Sequence, residues 1–358
     1  MRDMNSDHTG NKTILWLILL AALIICGAGA AGFYAAYSRG PRVVRRTDAA
    51  VVSSTAADSS SAATADAADV STSSLYSVDN FDGSITYQGV RYEPNTGIRT
   101  VLFLGIDNSD QSRKGVGIVE GGRSDTMILF VIDNNKKLIT PLQISRDTMV
   151  NVDIYNNDGE FLSQGLEQIT MQYSYGRSPQ EACNLTKQKV ADLMCRTRIN
   201  SVVSLTMDGI EPVVDSVGGV TLKLQTDETD LDPSYKKGAV IRLDGAAAKD
   251  FVHVRNTEVR GSNNERMSRQ TQFMLALSQT TKARGASVIE TMEKAAGDSF
   301  YQDVDADTAD HFADYDTADQ ILYLPGKNVQ GALHDEFYVD DEKMLPLVLK
   351  LFYLPAQQ

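Results

Sequence analysis

The sequence predicts an α/β domain, with helices packed on a mixed central sheet, behind one membrane-spanning helix and a flexible stalk. Three observations predict it. Short runs of Val, Ile, Leu and Phe alternate with capped helical stretches from about residue 81 onward. Residues 13–38 contain no charge and are dominated by Ile, Leu, Ala and Gly. Between the two lies a tract made almost only of Ala, Ser, Thr and Asp.

The uncharged run has the length a membrane helix needs, roughly 20 apolar residues. A cleaved signal peptide is the competing reading, since Ala28-Gly29-Ala30 resembles a cleavage site; the length of the run favours a retained anchor. Residues 1–12 then form a short N-terminus on the other side of the membrane. The charges flanking the run point the opposite way. Arg39, Arg42, Arg45 and Arg46 follow it, and only Arg2 and Lys12 precede it, so the positive-inside rule taken alone places the bulk of the chain in the cytoplasm. Residues 39–79 read as the stalk, because from Thr47 to about Ser74 they lack the large apolar side chains that offset ordering entropy. Residues 80–358 form the folded part.

Within it, Thr100 to Leu104 reads as a buried strand that runs into Gly105-Ile106-Asp107. Residues 127–132 and 138–144 read as a hairpin about the turn 133–137, with Pro141 marking an edge position or a bulge. Ser178-Pro179-Gln180-Glu181 is a capping box with proline at the first helical position. The helix it opens carries apolar positions at Cys183, Thr186, Val190 and Leu193 or Met194. Residues 201–207 form a strand, and a short helix then stops at Gly218-Gly219 before the strand 220–224. Asp244 caps a helix to about Val252, and a longer helix covers roughly 264–283. Residues 321–324, 336–339 and a helix from Glu342 complete the domain.

Composition excludes several functions. A net charge of -13 argues against a nucleic-acid partner. Three cysteines rule out a disulfide scaffold; Cys183 and Cys195 read as lying on one helix, about 18 Å apart and too far to bridge. No P-loop, GxGxxG, HExxH, CxxC or GxSxG is present, and the four histidines are scattered. What remains is a set of carboxylates and arginines where strands end and helices begin. Asp107, Arg123, Asp125, Arg146, Asp147, Arg255, Arg260, Arg266, Arg269 and Gln270 make up that set. Arg266 and Gln270 share one helical face near a helix N-terminus, which suits a pyrophosphate. Two carboxylates suit a hard divalent cation. Asp107 and Asp147 can equally satisfy turn backbone, and Arg266 and Arg269 can equally be a solvated helix face.

The order of Val101-Leu-Phe-Leu-Gly-Ile-Asp107, Arg123-Ser-Asp-Thr126 and Ile144-Ser-Arg-Asp-Thr148 resembles the LytR–CpsA–Psr family of bacterial envelope proteins. Met207-Asp-Gly209, Val214-Asp-Ser-Val-Gly-Gly-Val-Thr221, Leu243-Asp-Gly245, Phe251-Val-His-Val-Arg255 and Glu265-Arg-Met-Ser-Arg-Gln270 continue it, over residues 98–283. The resemblance implies an α/β/α fold, with helices on both faces of the sheet and a hydrophobic tunnel for a polyprenyl chain. It implies a single-pass protein with its N-terminus cytoplasmic and its catalytic domain outside, against the charge reading. The implied activity is transfer of a glycopolymer such as teichoic acid or capsule, through its phosphate, from a polyprenyl-pyrophosphate carrier to a peptidoglycan sugar hydroxyl, assisted by Mg²⁺. It makes Asp107 and Asp125 metal-linked, and Arg123, Arg146, Arg255, Arg266 and Gln270 pyrophosphate ligands, with Asp125 and Arg146 at the chemistry.

The chain departs from the family in two places. The loop between Asp107 and Asp125 is long and glycine-rich, and His253 stands where the family has arginine. His253 faces either the pyrophosphate or the core. Two other functions compete with transfer. One is an envelope protein that holds the lipid carrier with little catalysis; the other is a transcription attenuator, which the acidic charge and the anchor oppose.

Overall fold

The computed structural model describes residues 76–78, 82–107, 122–254, 265–270, 272–273, 276–277, 280, 287–304, 315–318, 321–332 and 334–356. The predicted membrane helix, most of the stalk, Arg255 and Arg260 lie outside them. Among the described residues, no helix is long and apolar enough to cross a membrane.

A seven-stranded mixed sheet forms the centre. Its order is Phe300–Gln302, Ser201–Thr206, Ile98–Ile106, Ser124–Asp133 and Leu138–Ile144, with Asp316–Thr317 and Leu322–Tyr323 sharing the last edge. Ile98–Ile106 runs parallel to Ser201–Thr206 and antiparallel to Ser124–Asp133. The strand Ile98–Ile106 is apolar on both sides, as a strand covered on both faces must be. Val101 and Phe103 enter one core with Ile128, Phe130 and Val203. Leu102 and Leu104 enter the other with Met127, Leu129 and Val202.

Helices cover both faces. Met207–Ser216, Gly245–His253, the described helical residues 265–270, 272–273 and 276–277, and Ser287–Ala296 pack on the first. Pro179–Leu193, Asp341–Phe352 and the 3₁₀ segment Ile169–Tyr175 pack on the second. The predicted layers are present, with smaller sheets at the periphery, including the hairpin Met149–Tyr155 with Phe161–Gln168.

Pro141 is accommodated by a broken edge. Its strand pairs Phe130 with Pro141 on the inner side, whereas among the described residues the outer neighbours pair Leu138–Ile139 and Leu142–Gln143, with the proline between them. The turn of this hairpin is held by Asp133. Its Oδ1 accepts from the N–H groups of Asn135 and Lys136, both at 3.0 Å, and its Oδ2 from Lys136 Nζ at 2.8 Å. Burial pushes the Asp133 carboxyl up, but the Lys136 ammonium and the two backbone donors outweigh this and hold it below the ordinary value of 3.8. The contribution is therefore complete above that pH and is lost as pH falls through the lower folded value. Asp133→Ala is expected to cost about 1–2 kcal/mol. Urea unfolding from neutral pH down to about pH 3 should show the mutant's deficit shrinking at the acid end; a deficit independent of pH would exclude this account.

Four expectations are corrected. Tyr76–Val78 belongs to a strand paired with Ile85–Tyr87, so the folded region begins inside the predicted stalk 39–79; Tyr76 and Val78 supply the large side chains that the tract before them lacks. The strand predicted to reach Met207 ends at Thr206, because Met207 opens the next helix. Cys195 lies beyond the helix that carries Cys183, in left-handed backbone (φ 54°) where the helix has ended. The capping box is shifted: Ser178 accepts from the N–H of Glu181, but Glu181 accepts from the N–H of Arg177 rather than Ser178. Gly218 and Gly219 stop their helix as expected, with φ 68° and 87°, and a Cβ on Gly219 would lie 2.8 Å from the Leu243 carbonyl oxygen.

Candidate active site

Sheet topology gathers the charged residues. Two strands finish, and the antiparallel strand between them starts, at the same end of the sheet. Asp107 follows the first, Arg123 to Asp125 open the second and Arg146 follows the third. A register shift between Gly105 and Ile106 turns the first strand end. A Cβ on Gly105 would lie 2.9 Å from Thr126 Cβ, so glycine allows the two backbones to approach here.

Asp107 and Arg123 form one ion pair. Asp107 Oδ1 accepts from the Arg123 N–H at 2.6 Å, and Oδ2 from Arg123 Nε and Nη2, both at 2.8 Å. Burial alone pushes the Arg123 guanidinium down; the charge and hydrogen bond of Asp107 and the charge of Asp125 overcome this and raise it. Asp125 joins two arginines that are almost fully buried. Arg146 (5 % exposed) forms an ion pair through Nη1 with Oδ1, and Arg266 (4 % exposed) donates from Nη1 to Oδ2 at 3.1 Å. Thr170 Oγ1 lies 3.4 Å from Asp125 Oδ1. Arg146 Nε lies 3.4 Å from Asp147 Oδ1 but lacks hydrogen-bond geometry, and that oxygen accepts from Gln168 Nε2 at 2.7 Å. The arginines 123, 146 and 266 thus match the aspartates 107, 125 and 147, and this cluster carries no net formal charge.

The cluster sits at one end of a cavity of about 1100 Å³, open mouth included. Asp107, Asp125, Arg266, Gln270 and His253 line its polar end. Its other walls are apolar and include Phe103, Ile210, Val214, Leu277, Met292 and Ala296. His253, the last residue of its helix, is exposed and lines the cavity, so it faces the site and not the core. Gln270 is oriented by both ends of its amide, with Thr126 Oγ1 donating to Oε1 at 3.1 Å and Nε2 donating to the Val252 carbonyl at 3.2 Å. Asp107, Arg123, Asp125, Arg146, His253, Arg266 and Gln270 are thus brought together at one end of the sheet.

Sequence reasoning left several supporting residues unassigned. Arg269 is neither a solvated helix face nor a cavity residue. It is buried, donates to the carbonyls of Phe251 (2.8 Å) and Val254, and pairs with the buried Glu228 at 3.0 Å. It thereby ties down the helix end that presents His253. Its position three residues after Arg266 does not by itself signal that burial. Thr170 comes from a 3₁₀ segment with no side-chain cap to announce it.

A magnesium ion can be tested against this donor set. Among the described residues, no group of three or more His, Cys, Asp or Glu side chains could hold a metal. Two cavity-lining carboxylates are nevertheless what Mg²⁺ takes from protein when phosphate and water complete its shell. The residues fit a cation that arrives with its phosphate ligand.

An arginine–aspartate cluster bordering an apolar cavity, on a three-layered α/β domain, is the kind of arrangement that suits an amphiphilic phosphate ligand. The model of the LytR_cpsA_psr family matches residues 49–323, and the chain belongs to that family. The polyisoprenyl-teichoic acid–peptidoglycan teichoic acid transferase TagU of Oceanobacillus iheyensis is 30% identical over 177 residues, 49% of this chain and 49% of that protein. TagV of Bacillus subtilis, which carries the same activity name, is 29% identical over 204 residues, 55% of this chain and 46% of that protein. The chain spans about half the length of these curated relatives. The solved structure of TagT bound to LI-WTA shares the fold, at a TM-score of 0.51 and 20% identity, over 72% of this chain and 91% of that one.

Proposed function

We propose that this protein transfers a glycopolymer, through its phosphate, from a polyprenyl-pyrophosphate carrier to a peptidoglycan hydroxyl. The observation that carries the reading is the amphiphilic cavity, charged at one end and apolar along the rest. The names of the TagU and TagV relatives support teichoic acid, or a polymer of similar linkage, as the cargo.

In this reading the prenyl chain lies along Ile210, Val214, Leu277 and Met292, and the pyrophosphate meets Arg146, Arg266, Gln270 and His253. Arg255 joins them if the resemblance holds at that position. The acceptor oxygen attacks the glycan-side phosphorus, the P–O–P bond breaks and the lipid monophosphate leaves. Asp125 or Asp107 orients the hydroxyl and takes its proton. Bound Mg²⁺ would supply charge neutralisation at the pyrophosphate, held by Asp107 and Asp125. Charge balance supports the pair of ligands: a cluster already neutral gains little from a bare polyanion, whereas cation and pyrophosphate together leave it near balance. Positioning and electrostatics suffice for phosphoryl transfer without a covalent nucleophile.

Residues 13–38 serve in this proposal as the anchor, with the folded domain on the outer side of the membrane. Incubation of purified protein with a lipid-pyrophosphate-linked glycan, peptidoglycan fragments and Mg²⁺ should yield a phosphodiester-linked product that EDTA suppresses. Lipid binding without product would leave a carrier protein instead. Protease added to intact protoplasts should remove the domain; survival of the domain beside cleaved external controls would reverse the topology.

A further inference from the structure

The cavity floor is a face of the central sheet. One row across it runs Phe103, Ile128 and Gln143, each opposite the next in the register of three adjacent strands. Two of these are apolar. The third is a carboxamide only 3 % exposed, lining the cavity, and among the described residues no hydrogen bond reaches its side chain. Buried amides almost always have partners, and leaving one without costs stability. A methionine or leucine of similar size would fill the same space at no such cost.

Its depth suggests what the amide is for. Thr126, which orients Gln270, precedes Ile128 by two residues on the same strand and lines the same cavity. The Gln143 row therefore lies about 7 Å along the strands from Thr126, away from the strand ends that carry the charged cluster. Asp107, Asp125 and Arg146 lie on the strand-end side of this row, and apolar residues of the cavity lie beside it. An amphiphile with a phosphate head and a hydrocarbon tail has its head–tail junction at this depth.

We propose that Gln143 is a specificity-determining ligand contact, its carboxamide N–H donating to an oxygen of the lipid-side phosphate. This rests on the lipid-pyrophosphate reading of the cavity and deepens it. A neutral donor suits the place, since it steadies a phosphate oxygen without burying another charge beside apolar walls. It also contacts the group that leaves in the transfer step, whereas the arginine cluster is anchored by carboxylates at the mouth.

The test uses Gln143→Met and Gln143→Leu in the whole protein, with a short prenyl monophosphate and the matching prenol as probes, measured by calorimetry in detergent. Both variants should bind the monophosphate about 10-fold more weakly, bind the prenol as the native protein does, and melt at a higher temperature when unliganded. A merely structural glutamine would give the opposite sign in the melting experiment. Unchanged monophosphate affinity, or an equal loss for both probes, overturns the proposal. Failure of the native protein to bind either probe removes the lipid reading and the Gln143 contact with it.

Discussion

Asp125→Ala is expected to remove transfer and also to lower the stability of the folded domain by about 3–5 kcal/mol, whereas Asp107→Ala removes transfer alone. The sequence treats these two aspartates as equivalent, each at a strand end in the core sheet. The structure separates them. Asp125 is shared by two guanidiniums that are almost wholly buried, and truncation withdraws the carboxylate from both. Asp107 pairs with Arg123, whose side chain is 36 % exposed and can be solvated once its partner is gone. In each case activity should drop at least ~100-fold, because charge neutralisation at the reacting phosphate is lost. Urea unfolding followed by circular dichroism, set beside the transfer assay, checks both parts. Equal stability of the two variants would mean that the Arg146–Asp125–Arg266 network contributes nothing to folding.

Ala296→Phe is expected to weaken lipid-pyrophosphate binding about 100-fold, while leaving the charged cluster untouched. Ala296 is the last residue of its helix, is buried, and lines the apolar part of the cavity. A phenyl ring there occupies space that about four methylenes of a prenyl chain would otherwise fill. At roughly 0.8 kcal/mol each, that is about 3 kcal/mol of lost burial. Overpacking at this core position is expected to cost about 1–3 kcal/mol of stability, so the lipid effect is read as the shift on ligand addition within each variant. Thermal melting with and without a prenyl pyrophosphate distinguishes the outcomes. A variant still stabilised by the lipid to the native extent would show that the chain does not reach this wall.

The parts of the fold that were legible in the sequence are those whose signals are local. Ser178 and Asp244 announced their helices because a capping oxygen must precede the first turn, and both accept the expected N–H. The 133–137 turn and the Gly218-Gly219 stop were legible for the same reason. The hairpin Met149–Gln168 was not read, because one of its strands, Phe161–Gln168, is almost wholly exposed and lacks apolar alternation. At the site, the motifs supplied the residues that face the ligand. They gave no sign of which arginines would be buried, or of Arg269 bracing the helix end through Glu228, because those contacts join segments 15 to 41 positions apart. Nothing in its local pattern singles out Gln143, which stands between the apolar Leu142 and Ile144. Only the cavity shows that it faces inward.

The neutrality of the arginine–aspartate cluster bears on how a donor arrives. Among the described residues this cluster carries no excess positive charge, so it adds no long-range pull on a polyanion from solution to a chain of net charge -13. In the proposed function, encounter then depends on the hydrocarbon end of the donor, and its rate should vary little with ionic strength. In the proposed transfer, the net acidic charge of the chain favours departure. A phosphate-rich polymer released from its lipid would be repelled by the acidic surface as soon as its reacting end left the mouth, so the protein would shed its cargo without having to open.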